Sequence, residues 1–533
     1  MIALPGSDTK VHVDTGLELR RPHEISTGKR RRLLLGGLIF FILIIPFTAA
    51  FDEPGLQMDE GSVLVYPELI NHGELPYRDF ETFYGPANIY VLAATYSAFG
   101  TNVTVERCVG FLYRVLILAL VFASISRWNV GVAGCCTLLA ASLLLMTKII
   151  AFAWFGAVAC LLAGIWLMAG ARSTKHYFVA GLIIAGAFLY RVDLGPAALI
   201  STLPFLWRTP ARHQFSFIIG TASGLFPLAL LMYFVGPRAL LDNLFLYPVV
   251  YTSPARHIPM FVVEPYLRTL FFIHLFAAAL NIMAGTIFVR SNAGDPRGRL
   301  LLSLALLGAA LTTQAAQRLD LFHLISVAFL TIGTLPLSLL VLATRSREWR
   351  PRLAYVTVAT IVIFAVLQIV LPPLMPFMAD HYLAVFGGNG DDGNLAQHEG
   401  RYFPCSSKGE ATRIARMLNW LEKQSVPGEH LFVGPADLRR SSWCDTFIYH
   451  LMPKLQAGTY FLEMNPLSAN RLNSRLAADV GSSDWLLLDR AIDSCREQNR
   501  SLEFQSDTPN QVVRENFRLV KQFGPYLIFH RKI

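Results

Sequence analysis

Residues 58–86 read MDEGSVLVYPELINHGELPYRDFETFYGP, from Met58 to Pro86. The stretch carries Asp59, Glu60, Glu68, Glu74, Asp79 and Glu81, together with Arg78, Tyr66, Tyr77 and Tyr84. It closely follows a long apolar run, Leu33–Ala50, which is itself preceded by Lys29-Arg30-Arg31-Arg32. Ionisable groups gathered at a membrane span are functional candidates by default. The rest of the chain decides which side of the membrane they occupy and what they face.

The chain has 533 residues, 53% hydrophobic and 16% charged, where soluble proteins carry nearer a quarter charged. Apolar runs at about 33–51, 108–126, 131–147, 149–170, 177–190, 194–207, 215–235, 268–289, 299–315, 321–344 and 353–372 read as about eleven membrane spans. The expected class is therefore an α-helical polytopic membrane protein. The net charge of +9 does not call for nucleic acid. Its excess lies in the tail and in short loops between apolar runs, as membrane topology requires. The first run is too long for a cleaved signal and no small-residue cleavage site follows Phe51, so it reads as a signal anchor with a cytoplasmic tail at 1–32.

With the N-terminus inside, the linkers at 127–130, 171–176 (ARSTKH), 208–213 (RTPARH), 290–299 (RSNAGDPRGR) and 345–352 (RSREWRPR) all fall in the cytoplasm, as the positive-inside rule demands. The expected domains are the tail 1–32, a membrane domain 33–378 with its first external loop at 52–107, and an extracytoplasmic domain 379–533. Within the loop, PANIYVLAATYSAFG (86–100) is short for a span and suits an interfacial or re-entrant helix.

The C-terminal part changes character after the turn-forming GGNGDDGN. A helix at 411–424, a strand at 430–433, a helix at 446–455, a strand at 459–462, a helix at 469–479, a strand at 485–488 and a hairpin at 517–530 predict an α/β domain. It has no P-loop, GxGxxG, HExxH or Cys-His zinc spacing. Cys405, Cys444 and Cys495 lie in this external part, where a disulfide can persist. Cys405–Cys444 is the favoured pair, other pairings and free thiols being the alternatives.

The remaining charges collect at the same external edge. Arg191 and Asp193 (RVDLG) fall at one outer turn, Arg318, Asp320 and His323 (RLDLFH) at a second, and Lys148 (MTKIIAF) at a third. Arg114 lies within a span, with an outer-loop carboxylate as its expected partner. Against a functional role, each Arg-x-Asp can be a helix-ending ion pair, Lys148 a snorkelling side chain, and Glu68, Glu74 and Glu81 solvated surface charges. Asp59 and Asp79 stand out because Met58, Tyr77 and Phe80 lie beside or near them. A carboxylate, several cations and an opening to lipid suit an amphiphilic phosphosugar. Arg and Lys hold its phosphate, and a carboxylate takes the proton of the incoming hydroxyl.

One long span followed by Asp59-Glu60 and by Gly73-Glu74-Leu75-Pro76-Tyr77-Arg78-Asp79-Phe80 resembles the GT-C superfamily of membrane glycosyltransferases, as do the turns Arg191–Gly195 and Arg318–His323. The resemblance covers about 33–372. It implies Asp59 as the catalytic base or a core site residue, with Glu60 and Asp79 assisting. It also implies Arg78, Tyr84, Lys148, Arg191, Asp193, Arg318, Asp320 and His323 around the donor phosphate. The chain departs from many relatives in having Tyr84-Gly85-Pro86 where they carry a lysine. GPADLRR and FLEMNPLSANR resemble actinobacterial envelope proteins, which points to arabinan or mannan.

The implied partners are a polyprenyl-phosphate sugar donor, a glycan or lipoglycan acceptor and the lipid bilayer of the plasma membrane. No cofactor is called for. A divalent cation is compatible with the outer acids, although no ligand spacing demands one. A lipid-linked sugar transporter or flippase and a non-catalytic envelope-assembly scaffold are the rival readings. Transporters tend to show internal repeats and midplane charges, and neither is seen here.

Overall fold

In the computed structural model the described residues are 50–207, 209–251, 263–345, 394–439, 444–464, 473–491 and 506–532, with a few further positions. The tail 1–32, most of the expected spans 33–51 and 353–372, most of the GGNGDDGN turn, and Cys495 lie outside them.

Two helices, α1 (Asp59–Asn71) and α2 (Pro86–Phe99), precede the bundle. The bundle runs through α3 (Val103–Ile125), α4 (Val130–Leu144), α5 (Ala153–Ala169), α6 (Thr174–Tyr190), α7 (Gly195–Leu206), α8 (Ala211–Gly224), α9 (Phe226–Val235), the short α10 (Pro237–Leu241), α11 (Pro265–Ser291), α12 (Pro296–Gln317) and α13 (Leu321–Arg345). A π-helical stretch, Asp242–Tyr251, follows α10.

Among the described residues, five helices are long and apolar enough to cross a membrane: Val103–Ile125, Ala211–Val235, Pro265–Ser291, Pro296–Gln317 and Leu321–Thr344. Four shorter apolar helices, Val130–Leu144, Ala153–Ala169, Thr174–Tyr190 and Val192–Leu206, lie between them. All match expected spans to within a few residues. The passes alternate in direction, so the segments 51–102, 145–152, 191–194 and 318–320 share one end of the bundle, the α1 end.

Helix α13 is the core of the bundle and is tied by polar bonds. His274 Nδ1 lies 2.6 Å from Thr331 Oγ1, and Asn281 donates to the Thr331 carbonyl (2.8 Å) and to Thr334 Oγ1 (2.9 Å). Between apolar helices in lipid, such bonds and close packing replace the hydrophobic drive. By contrast α8 and α9 present Phe215, Ile218, Phe226, Leu230 and Phe234 outward, a belt suited to acyl chains. Helix α2 buries Ile89, Leu92, Ala93 and Tyr96 and exposes Tyr90, Val91 and Phe99, one covered face and one open.

The C-terminal part is a sheet domain. A hairpin of β1 (Leu395–His398) and β2 (Arg401–Pro404) leads into α14 (Lys408–Gln424). Then come β3 (His430–Pro435), α15 (Phe447–Leu451), β4 (Gln456–Ala457), α16 (Leu476–Ser482), β5 (Trp485–Asp489), α17 (Thr508–Asn516), β6 (Phe517–Phe523) and β7 (Tyr526–Arg531). The five-stranded sheet has the order β4-β3-β5-β7-β6, with β3 parallel to β4 and β5 and the last hairpin antiparallel. Trp-Leu-Leu-Leu-Asp is buried along its whole length because a central strand is covered on both faces. Helix α14 opens with Ser407 capping Glu410 N (3.3 Å) and buries Ala411, Ile414, Met417, Leu418 and Leu421, one helical face.

Three expectations need correction. The run 459–462 is not a strand, because the Tyr460 amide donates to Asp479 Oδ2 (3.0 Å) rather than to a ladder. The helix expected at 469–479 is α16, which begins only at Leu476. The Cys405–Cys444 bridge is not formed: both thiols are free, buried and turned to carbonyls, Cys405 to Phe403 and Cys444 to Val433.

Candidate active site

The site grows out of α3. Its first turns carry Glu106, Arg107 and, two turns on, Arg114, none of them with more than 2% exposed surface. Arg107 forms a bidentate pair with Glu60 (2.7 and 3.0 Å) and donates to the carbonyls of Phe51 (2.5 Å) and Glu53 (2.9 Å). This clamp fixes the chain just before α1. Glu60, expected to assist in chemistry, thus has both oxygens on a buried guanidinium. Asp59, the first residue of α1, is half-buried.

Segment 145–152 is held by the same helix. Arg114 donates to the carbonyls of Gly110 (2.9 Å), Ile149 (3.2 Å) and Ile150 (3.1 Å), and to that of Lys148. It is gripped by carbonyls rather than by the expected carboxylate. The approach needs Gly110, since a Cβ there would fall 1.8 Å from the Ile149 oxygen. Glu106 accepts from the Ala151 amide at 2.5 Å. Lys148 emerges from this segment onto Glu53 (2.7 Å) and the Pro54 carbonyl (3.1 Å). It links the cationic turn to the segment that leads to Asp59.

Beyond Lys148 the chain enters α5 through Phe152, Trp154 and Phe155, an aromatic seat surrounded by cations. Arg114 lies 4.0 Å over Phe155, and Arg191 lies 5.6 Å from both Trp154 and Tyr84. Phe322 meets Phe152 at 5.0 Å and Phe155 at 6.4 Å. Trp154 Nε1 donates to Ser326 on α13 (3.1 Å). Two acid–base turns flank the seat. In one, Arg191 binds Asp193 (2.8 and 2.5 Å), which also accepts from Gln314 (2.7 Å). In the other, Arg318 binds Asp320 (3.0 Å), whose carboxylate also meets His323 Nδ1 (2.8 Å). Tyr84, Lys148, Arg191, Asp193, Arg318, Asp320 and His323 lie on the turns that border this aromatic seat.

Asp79 and Arg78 are placed otherwise. They pair with each other (2.9 and 2.7 Å), and Asp79 accepts the Leu75 amide (2.8 Å). The hydrogen-bonded guanidinium holds the Asp79 carboxyl below its usual range. The pair pins a turn in which Tyr77 takes φ 70° and sends its hydroxyl to the Tyr84 carbonyl (2.7 Å).

Glu81, read as a surface charge, is 2% exposed. Its amide donates to the Tyr460 carbonyl at 2.7 Å. Glu68 also departs from expectation, since Arg401 of β2 grips it. Tyr66 stacks on Phe80 at 5.1 Å. Burial, then Glu463 and Glu81, push its phenol well above the usual range.

Sequence reading passed over Glu53, Glu106, Arg107, Trp154 and Gln314. The adjacent charges Glu106-Arg107 at the head of an apolar run were a usable signal. Gln314 and Trp154 carried none without the fold.

No family model matches the chain, and no curated protein matches it. Solved structures do. ArnT from Cupriavidus metallidurans bound to undecaprenyl phosphate is similar with a TM-score of 0.52 and 13% identity, over 92% of this chain and 97% of that one. ArnT from the same organism in the apo state gives 0.52 and 14%, over 95% and 98%. The chain has the fold of ArnT. The match to the ArnT fold spans both the helical bundle and the sheet domain, and it agrees at the level of fold with the GT-C resemblance.

Proposed function

We propose that this chain is a membrane glycosyltransferase that takes a sugar from a polyprenyl-phosphate donor. It delivers the sugar, with inversion, to an envelope glycan or lipoglycan. The observation that carries the reading is the ArnT fold, one member of which binds undecaprenyl phosphate, combined with cations set around an aromatic seat at one end of an apolar bundle. In this reading the prenyl tail lies along the bundle and the phosphate sits at Arg191, Arg318 and Lys148. These cations stabilise the charge left on the phosphate as its bond to the anomeric carbon breaks. Asp59 takes the proton of the acceptor hydroxyl whose oxygen forms the new bond. Glu60 and Arg107 keep Asp59 in place, and Asp79 shapes the turn that presents Tyr84. Arabinofuranose and mannose are the candidate sugars. The basic linkers favour a cytoplasmic N-terminus, with α1 and the sheet domain on the opposite face.

The test is mass spectrometry of envelope glycans with and without the gene, followed by transfer from the matching polyprenyl-phosphate sugar in vesicles holding the purified protein. Loss of one linkage, restored by the wild-type chain, supports the reading. An unchanged glycan profile together with no transfer in vesicles rejects it.

A further inference from the structure

The sheet domain holds a second cluster, separate from the bundle. His398 ends β1, Glu399 occupies the hairpin turn, and Glu422 lies in the last turns of α14. One ligand atom from each lies within 4.8 Å of the others. The His398 side chain is 2% exposed, and its Nε2 makes no hydrogen bond among the described residues. It faces Glu422 Oε2 at 3.7 Å, beyond hydrogen-bond range. A buried ring nitrogen left unsatisfied costs about 1–3 kcal/mol.

The turn is costly as well. Glu399 takes φ 50° ahead of Gly400 at φ 76°, in a hairpin position that favours asparagine or glycine. A glutamate held in this way brings its carboxylate to the cluster. A cation already marks the spot: Lys454 Nζ lies between Glu399 and Glu422, 2.9 Å from Glu422 Oε1. Its side chain is 54% exposed, so it can swing out into water. The cleft is about 530 Å³ and is also bordered by Asn419 and Tyr402.

We propose that His398, Glu399 and Glu422 form a binding site for a divalent transition metal, which displaces the ammonium of Lys454. Calcium and magnesium prefer all-oxygen sites. One imidazole with two carboxylates fits zinc best, and three protein ligands leave a position for water. The site joins the β1–β2 hairpin to α14. The same hairpin carries Arg401, which grips Glu68 of α1 and donates to the His450 carbonyl (2.9 Å). Metal binding therefore stiffens the edge of the sheet domain that meets α1.

The test titrates zinc chloride into the full chain, purified in detergent and stripped with chelator, by calorimetry and by thermal unfolding. The wild type should bind zinc with a rise in unfolding temperature. Glu422→Gln and His398→Ala should each weaken this binding roughly tenfold or more. Lys454→Met should tighten it. Glu422→Gln and Lys454→Met alter partly exposed side chains and should leave the fold intact, so they decide the matter even if His398→Ala does not fold. Binding that is the same in wild type, Glu422→Gln and Lys454→Met overturns the proposal. So does the absence of binding in both wild type and Lys454→Met.

Discussion

Glu60 and Arg107 meet in a bidentate pair, 2.7 and 3.0 Å, with 0% and 2% of their side chains exposed. Removing one member leaves the other charge buried and unmatched, which costs about 3–5 kcal/mol. Glu60→Gln and Arg107→Met should each lower the unfolding temperature sharply in detergent. The double variant Glu60→Met/Arg107→Met should recover part of the loss, because it leaves no orphaned charge. Additive losses would show that the pair does not act as a unit.

Asp59 stands one residue before Glu60, and its substitution should behave differently. Asp59→Asn should leave the protein stably inserted while sugar transfer falls by about 10²–10⁴-fold, the usual weight of a general base. Radiolabel transfer in vesicles measures this. Transfer near the wild-type rate removes Asp59 from the chemistry.

Arg191 offers its guanidinium as a fork to Asp193 while facing Tyr84 and Trp154. Lysine cannot reproduce that planar contact. Arg191→Lys should raise KM for the lipid donor more than it lowers kcat. An unchanged KM would place the donor phosphate elsewhere.

Gly61 marks the seam between α1 and the sheet domain. A Cβ there would fall 2.3 Å from the Phe447 amide nitrogen, and backbone cannot yield as a side-chain tip can. Gly61→Ala should cost roughly 1–3 kcal/mol and loosen the seam. Limited proteolysis should then release the sheet domain faster than from the wild type.

Asp445 is buried beside Asp489. Burial first, and that neighbour second, push its carboxyl well above the usual range. A raised carboxyl binds its proton more tightly in the folded state, so its contribution is fully present below the unfolded value near 3.8 and is lost as pH rises through the folded one. Asp445→Asn should therefore stabilise the protein at neutral pH and gain nothing in acid. Unfolding midpoints of both proteins across pH 4 to 8 test the sign. A difference that does not vary with pH refutes it.

The nine apolar helices among the described residues were legible because apolar length acts locally. Lys148, Arg191 and Arg318 were legible for the same reason: charges in tight apolar turns stand out. What stayed hidden depended on partners far along the chain. Glu81 looks like any loop glutamate until Tyr460 covers it, and Glu68 until Arg401 does. Asp79 drew notice for its aromatic neighbours, yet its nearest charged partner is Arg78, the adjacent residue. Thr459–Leu462 has strand composition, but Asp479 takes the amide that a ladder would need.

Glu68 and Arg401 are separated by 333 positions. A ribosome feeding the membrane makes α1 long before it makes its cover. Until the last part of the chain arrives, Glu68 lacks Arg401 and the Gly61 face lacks Phe447. The sheet domain thus closes over a waiting surface, and docking is the slow, non-local step of maturation. A chain stopped before Arg401 inserts its helices but leaves the acid-bearing helix uncovered. Such a product is a marker of interrupted synthesis that a protease added from the sheet-domain side reads directly.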